Sequence, residues 1–300
     1  MTAVNLAEQL GLAPGLRLAL YGYQARFGCP PDSVWRVPGT LTLLASGPKR
    51  LTVATPWEAI VATGPGEDGV FELIRLERPG ERDCVLVAAA GAGRGPAWTG
   101  SGLMPTGSEL TARRTGARLL IRSDLPDGAG AGTAAAIETA IRLGVGDAAL
   151  EPHIRHSVGC AMLGPRQVPC DLATAGLRLV LIDTRVRGTV RSASAEDSPV
   201  AVAATAAAAG DFTLLGALLT AAHEKQPCDS VQRAAVAAAL RAGALGARAI
   251  ADGPGRPVCV LAPVGRVTDV RATVGGEFAR SGYRPPRFLT FTPAAGPSQV

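Results

Sequence analysis

Apolar residues recur at helical spacing over residues 4–12 and again over 16–27, and Ala13-Pro14-Gly15 separates the two runs. Pro-Gly ends one helix and allows another to start, so two helices are predicted. After them the period shortens. Residues 34–37, 41–44, 51–55, 59–63, 70–76 and 84–88 are short Val-, Leu- and Thr-rich runs bounded by Gly, Pro or charged residues, which predicts a β-rich N-terminal region. The glycines of residues 89–98, AAGAGRGPAW, are followed by no helical pattern, so this segment reads as an exposed connection. A strand at 117–122 leads through a glycine loop into a helix ending near Leu143, and a strand at 178–183 follows a second helical stretch. From Ser198 the chain turns to Ala/Leu-rich helical patterns at 199–209, 211–223 and 229–245. Strands at 247–250 and 258–261, a helix at 266–280 and a last strand at 287–291 complete it. A β-rich half followed by a mostly helical half predicts an α+β architecture in two parts. The polar run RGTVRSASAEDS between Val186 and Ser198 divides them, giving domains over residues 1–190 and 191–300. No internal repeat is visible.

Composition narrows the class. With 47% hydrophobic residues in 300, disorder is excluded as the dominant state, and with 4% aromatics, 37 Gly and 23 Pro the core must be built from Ala, Val and Leu. The net charge of +5 is a mild excess, and the arginines are scattered among apolar segments, so nucleic-acid binding is not expected. The most apolar stretch, 199–222, is broken by Gly210-Asp211 and falls short of a membrane span. The first ten residues carry Glu8 and no basic cluster, so no signal peptide is read and a soluble, cytoplasmic protein is expected. Six cysteines without a C-x-x-C pair read as reduced and mostly buried. His153 and His156 follow Glu151 with no third metal ligand of suitable type nearby, and read as a surface pair at a helix start.

The segment with the most chemistry is PDGAGAGTAAA, residues 126–136, at the entry to a helix. Gly128, Gly130 and Gly132 let backbone N–H groups converge on an anion with no Cβ in the way, and the helix dipole adds partial positive charge there. Phosphate is the natural occupant. Thr133 offers a hydroxyl to that phosphate or to a bridging Mg²⁺. No Lys-Ser/Thr pair ends the loop, so it is not a P-loop.

Together with two other segments, this loop resembles the GHMP kinase superfamily, and galactokinases in particular. Val34-Trp35-Arg36-Val37-Pro38-Gly39 resembles the opening V-W-x-A-P-G-R-V-N-L-I-G-E-H of that family, residues 126–135 resemble its P-x-G-x-G-L-S-S-S-A, and GARAIADGPGR, residues 246–256, resembles G-A-R-M-T-G-G-G-F-G-G. The resemblance implies a two-domain GHMP kinase-like fold, with a ribosomal-protein-S5-like β/α domain followed by a ferredoxin-like domain of helices and sheet, in a chain shortened relative to the family. It also implies a small-molecule substrate, ATP held by Gly128, Ala129, Gly130, Gly132, Thr133 and Ala134, and Mg²⁺ at Thr133.

The catalytic charges depart from that pattern. Placed on the family motif V-G-x-x-x-G-x-x-D-Q, VGCAMLGPRQ (residues 158–167) puts Arg166 where the family has its general base, and Thr40 stands at the family arginine. Arginine cannot accept a proton at neutral pH, although it can stabilise charge on a phosphoryl group. Asp171, at a predicted helix position, is a candidate substitute base or a solvated surface residue. Ser46 and Lys49 occupy the hexose-binding stretch without its acidic acceptors, so galactose is not the expected substrate. Lys49 and Arg50 would suit an anionic acceptor or form a solvated turn. Asp252 puts a carboxylate in the third motif, on the substrate side, where it would repel a triphosphate unless a metal intervened. Three readings result: a divergent kinase acting on a sugar, cyclitol or sugar phosphate, a catalytically inactive relative acting as ligand sensor or assembly partner, and a transferase using a phosphoribosyl donor. Oligomeric state is not legible.

Overall fold

The computed structural model describes residues 12–47, 49–68, 70–77, 85–87, 116–126, 128–146, 161–163, 166–168, 170–187, 199–250 and 256–300. The helix expected at 4–12 and the connection at 89–98 lie outside them. The second expected helix forms as α1 (Pro14–Phe27), two residues longer at its start because Pro14 is preset for a first helical turn. It buries Leu16, Ala19 and Tyr23 against Val34, Ile60, Ala62 and Leu120 of the first sheet.

That sheet corrects the strand count. The four short runs at 34–63 are two long strands, β1 (Ser33–Ser46) and β2 (Lys49–Pro65). Their pairing steps from Pro38↔Glu58 to Thr40↔Ala54, so Thr55, Pro56 and Trp57 bulge out of β2 opposite Gly39. A proline cannot donate to a ladder, and a bulge is where a sheet tolerates one. What reads as a gap between strands is therefore a bend within them. β3 (Val70–Arg75), β4 (Val85–Val87) and β5 (Ala117–Ser123) extend the sheet, and β5 pairs β2 along residues 59–65. The other half of β2 pairs β6 (Ala161–Leu163), which in turn pairs β7 (Arg166–Val168), a hairpin the sequence pattern did not reveal.

The second sheet is antiparallel, in the order β11-β8-β10-β9, built from β8 (Leu177–Asp183), β9 (Gly246–Ala249), β10 (Val258–Pro263) and β11 (Arg287–Phe291). β8 lies on the N-terminal side of the boundary expected at 190/191 yet pairs within this sheet, and β12 (Ser298–Gln299) returns from the C-terminal end to pair β1. Between the sheets lie α2 (Thr133–Gly144), α3 (Val200–Ala209) and α4 (Phe212–Lys225), which share one core with Leu41, Leu43, Leu179, Leu181 and Leu261. The alternate residues of the second sheet, Val180, Ile182, Val258 and Val260, face the opposite way against α5 (Ser230–Arg241) and α6 (Val267–Arg280), as the two-residue period of a strand requires. α4 also covers the open edge of β9. Thr220 Oγ1 accepts the Ala247 N–H and His223 Nδ1 accepts the Ala249 N–H, both at 3.3 Å, so two edge donors are satisfied by side chains.

Two helix expectations are corrected. Residues 171–176, just before β8, are turns rather than a helix, closed by a 2.8 Å bond from Leu177 N–H to the Leu172 carbonyl. The helix expected to run to Leu245 stops at Arg241, where Gly243 takes a φ of 90° and the Ala244 N–H reaches back to the Ala239 carbonyl. Among the described residues no helix is long and apolar enough to cross a membrane. Cys29, Cys170, Cys228 and Cys259 are free thiols, two of them buried.

Candidate functional site

β5 hands the chain to the glycine loop through Asp124-Leu125-Pro126. Asp124 Oδ1 accepts the Glu58 N–H at 2.7 Å and the Asp124 N–H donates to the Glu58 carbonyl at 3.2 Å, which fixes the loop entry to the residue after the β2 bulge. Gly128, Gly130 and Gly132 have φ of 72°, 78° and 66°. Ala129 and Ala131 between them are buried and have negative φ, since Arg185 is the only described non-glycine residue with a positive one. Alternation in the sign of φ is the pattern of an anion-binding nest, in which the Ala129 N–H closes the turn on the Pro126 carbonyl at 3.3 Å. Gly132 is also the N-cap of α2, and no side chain caps its first turn. The orphan amides and the positive end of the helix dipole are thus offered at one place. Thr133 is half-buried and Ala134 exposed, so the helix start opens to solvent.

Strand β1 forms one wall. A Cβ added to Gly132 would stand 2.8 Å from the Thr40 carbonyl oxygen and 2.9 Å from Thr40 Oγ1, and Gly39 is seated against the Ala131 carbonyl, Leu125 and Thr55. Thr40 therefore does come together with the glycine loop. It supplies a hydroxyl there and no charge.

The cation comes from elsewhere. The Arg187 guanidinium lies across Gly128, with Nε 3.1 Å and Nη2 3.3 Å from where a Cβ would be. Both its Nη atoms hold the carboxylate of Asp183, at 2.9 and 3.3 Å, and Asp183 is buried. Asp183 Oδ1 also accepts the Arg185 N–H at 2.9 Å, within a turn that forces Arg185 to φ 58°. A left-handed arginine is strained, and the turn holds it there while aiming Arg187 at the loop. The hydrogen bond that Arg187 donates to Asp183 raises its pKa above the ordinary value, against the opposing effect of burial and with the added pull of the Asp183 charge, so the group stays cationic. The sequence reading assigned Arg187 to the interdomain linker. Asp-x₃-Arg at the end of a strand was the signal present, and it carries meaning only once the turn is known.

Ser46 and Lys49 lie apart from the loop. Ser46 and Lys49 face each other at the tip of the β1–β2 hairpin, with Lys49 and Arg50 exposed. Six residues along β1 separate Ser46 from Thr40, roughly 20 Å of strand. Arg166 is opposite Leu163, which is opposite Leu51, so its backbone sits toward the hairpin end of β2 rather than at Thr40. Asp171 is exposed, in a turn and not on a helix, and its Oδ1 accepts the Thr174 N–H at 3.0 Å. Hydrogen bonds from Thr174 hold its pKa below the usual carboxylate value. Asp252, His153 and His156 lie outside the described residues. Among the described residues no group of three His, Cys, Asp or Glu could hold a metal ion. A Mg²⁺ carried mainly by polyphosphate oxygens needs few protein ligands, and the Thr133 hydroxyl at the start of α2 suits that limited role. Uncapped amides, a nest and one fixed arginine likewise suit a polyphosphate.

No family model matches the chain. Its fold is that of the GHMP kinases: it superposes on homoserine kinase from Cytophaga hutchinsonii with a TM-score of 0.53 at 15% identity, covering 90% of this chain and 98% of that one. Within that class the likeness is to galactokinases. A solved Lactococcus lactis galactokinase complexed with galactose matches with a TM-score of 0.72 at 14% identity, over 95% of this chain and all of that one. A galactokinase from Streptomyces coelicolor is 24% identical over 371 aligned positions, 91% of this chain and 96% of the relative. That alignment is longer than the 300 residues of this chain, so the relative carries segments that this chain lacks.

Proposed function

We propose that this chain is a galactokinase-like GHMP phosphotransferase that uses ATP to phosphorylate a hydroxyl on a sugar, cyclitol or sugar phosphate other than galactose. The observation that carries it is the glycine loop: three left-handed glycines alternate with two alanines at the uncapped start of α2, and Arg187 lies over the first glycine. Gly128, Ala129, Gly130, Gly132, Thr133 and Ala134 bind the phosphates, and Arg187 stabilises the charge that spreads over the transferring phosphoryl oxygens. ATP supplies the phosphoryl group, with Mg²⁺ held by its phosphates and Thr133. Positioning and electrostatics dominate such a reaction, and loss of a general base slows it by about 10²–10⁴ without abolishing it. Titration calorimetry with ATP and ADP, followed by coupled turnover with an acceptor panel that includes galactose, tests the proposal. Absence of nucleotide binding by the full chain overturns it.

One observation favours a second reading, a non-catalytic relative that senses a ligand. Thr40 brings no charge to the loop, and Asp171 spends its carboxylate on its own turn. Nucleotide binding without turnover of any acceptor would select this reading. Turnover lost in Thr40→Ala but kept in Asp171→Ala would reject it.

A further inference from the structure

At the end of the second sheet, a buried amide holds two segments of chain at a fixed spacing. The Ile250 N–H donates to the Pro257 carbonyl at 2.9 Å, so residues 250 and 257 are held side by side as two stems. Gln232, on the first turn of α5 and 5% exposed, gives its Nε2 hydrogens to both stems, to the Ile250 carbonyl at 3.4 Å and the Pro257 carbonyl at 3.1 Å. An amide has two donor hydrogens, and both are spent here. Asp229 completes the grip: Oδ1 caps the Gln232 N–H at 2.9 Å and Oδ2 accepts Arg256 Nη1 at 2.7 Å.

The upstream stem leads directly to the phosphate site. The Ala249 carbonyl accepts Gln226 Nε2 at 2.6 Å and Arg248 Nε at 3.2 Å, and the buried Arg248 donates through Nη1 to the Leu43 carbonyl of β1 at 2.7 Å. Leu43 is three residues from Thr40, roughly 10 Å along the strand, and Thr40 is the wall against Gly132. A continuous set of contacts runs from Gln232 through the stems, Arg248 and β1 to the anion nest.

We propose that Gln232 is a positioning residue: it sets the separation of the stems at 250 and 257, and through Arg248 and β1 it holds the wall of the phosphate site in place. The proposal rests on the phosphate-binding reading above for its ligand, but not for its mechanics. The test uses the full chain with Gln232→Leu, which keeps the side-chain volume and removes both donors. Hydrogen exchange followed by mass spectrometry should show the Ile250 amide, which donates to the Pro257 carbonyl, exchanging at least about tenfold faster, the loss of roughly one net hydrogen bond. Protection of β10 against β8 should be unchanged. The dissociation constant for inorganic tripolyphosphate should rise by about the same factor. Arg256→Gln, which opens one stem without disturbing the core, should accelerate exchange at the same amide by less. Unchanged exchange of the Ile250 amide, or protection lost evenly across α5 and β10, overturns the proposal. So does unaltered tripolyphosphate affinity beside accelerated exchange. If the wild-type chain binds no polyphosphate, the functional reading fails, and the exchange measurement still decides the clamp.

Discussion

Replacing Gly132 with alanine tests whether the glycine loop is seated on β1 or merely passes near it. Two effects add. At φ 66° an alanine sits in the left-handed region, which costs about 1–2 kcal/mol relative to right-handed backbone. Its Cβ would also stand 2.8 Å from the Thr40 carbonyl oxygen and 2.9 Å from Oγ1. Carbon–oxygen contacts that short force β1 or the loop to give by about half an ångström, and such overpacking costs about 1–3 kcal/mol. Gly210→Ala is the matched comparison, because Gly210 has φ 73° at the end of α3 and no atom lies within 4 Å of its would-be Cβ. It carries the backbone effect alone. Guanidinium unfolding of both variants, with unchanged m-values, should show Gly132→Ala less stable than Gly210→Ala by about 1–3 kcal/mol. Equal losses would refute the close seating of Thr40 on the loop, and with it the route from β1 to the anion nest.

Three further outcomes are expected. Arg187→Met should weaken ATP binding by about ten- to a hundredfold, the worth of a charged hydrogen bond, and should also lower Tm, because it leaves the buried Asp183 carboxylate without its guanidinium; equal affinity would remove Arg187 from the site. His223 has its pKa lowered first by burial, then by Arg248 and Arg233, against Glu224, so the folded chain keeps it neutral where the unfolded chain protonates it. Stability from this group is therefore present above pH 6.5 and lost as pH falls through the lowered folded value, and His223→Gln should flatten that slope in unfolding titrations. Burial pushes the Cys259 thiol up to about 12, so thiol labelling at pH 8 read by peptide mapping should leave it unmodified until the chain unfolds, while labelling as fast as the half-buried Cys228 would contradict the packing.

Much of the fold was legible because alternation and glycine punctuation act locally. The run from Ala117 to Gly144 reads as strand, loop and helix, and folds as such. What was misread depends on partners distant in sequence. Pro56 looks like a strand break until β1 is paired against it, and then it is a bulge. β6 and β7 are three residues each, too short for a periodic signal, and exist because β6 pairs β2 and β7 pairs β6. The site followed the same rule. The glycine loop is built from its own glycines and takes the left-handed turns they predict, whereas Arg187 reaches Gly128 through a turn imposed by Asp183, and Arg166, aligned by motif, sits on β7 paired to β6.

The arginines join these observations. The chain has 30 basic residues and only two are lysines, Lys49 and Lys225. A planar guanidinium with donors in a fixed fork can bridge carbonyls and carboxylates on separate elements, as a lysine ammonium on a flexible stem cannot do with the same geometry. Arg248 ties β9 to β1 and to Gln226, Arg256 ties Pro257's neighbourhood to α5 through Asp229, and Arg187 ties the end of β8 to the glycine loop. Arg248 and Arg187 each end on an element beside the glycine loop, and Arg256 braces the chain entering β10. A lysine at any of the three would keep the charge and lose the fork, so Arg248→Lys should disturb phosphate affinity even though the net charge of +5 is unchanged. Part of the basic excess is thus spent on bonds between elements, Arg248 holding β9 to β1 and Arg187 holding the end of β8 against the glycine loop.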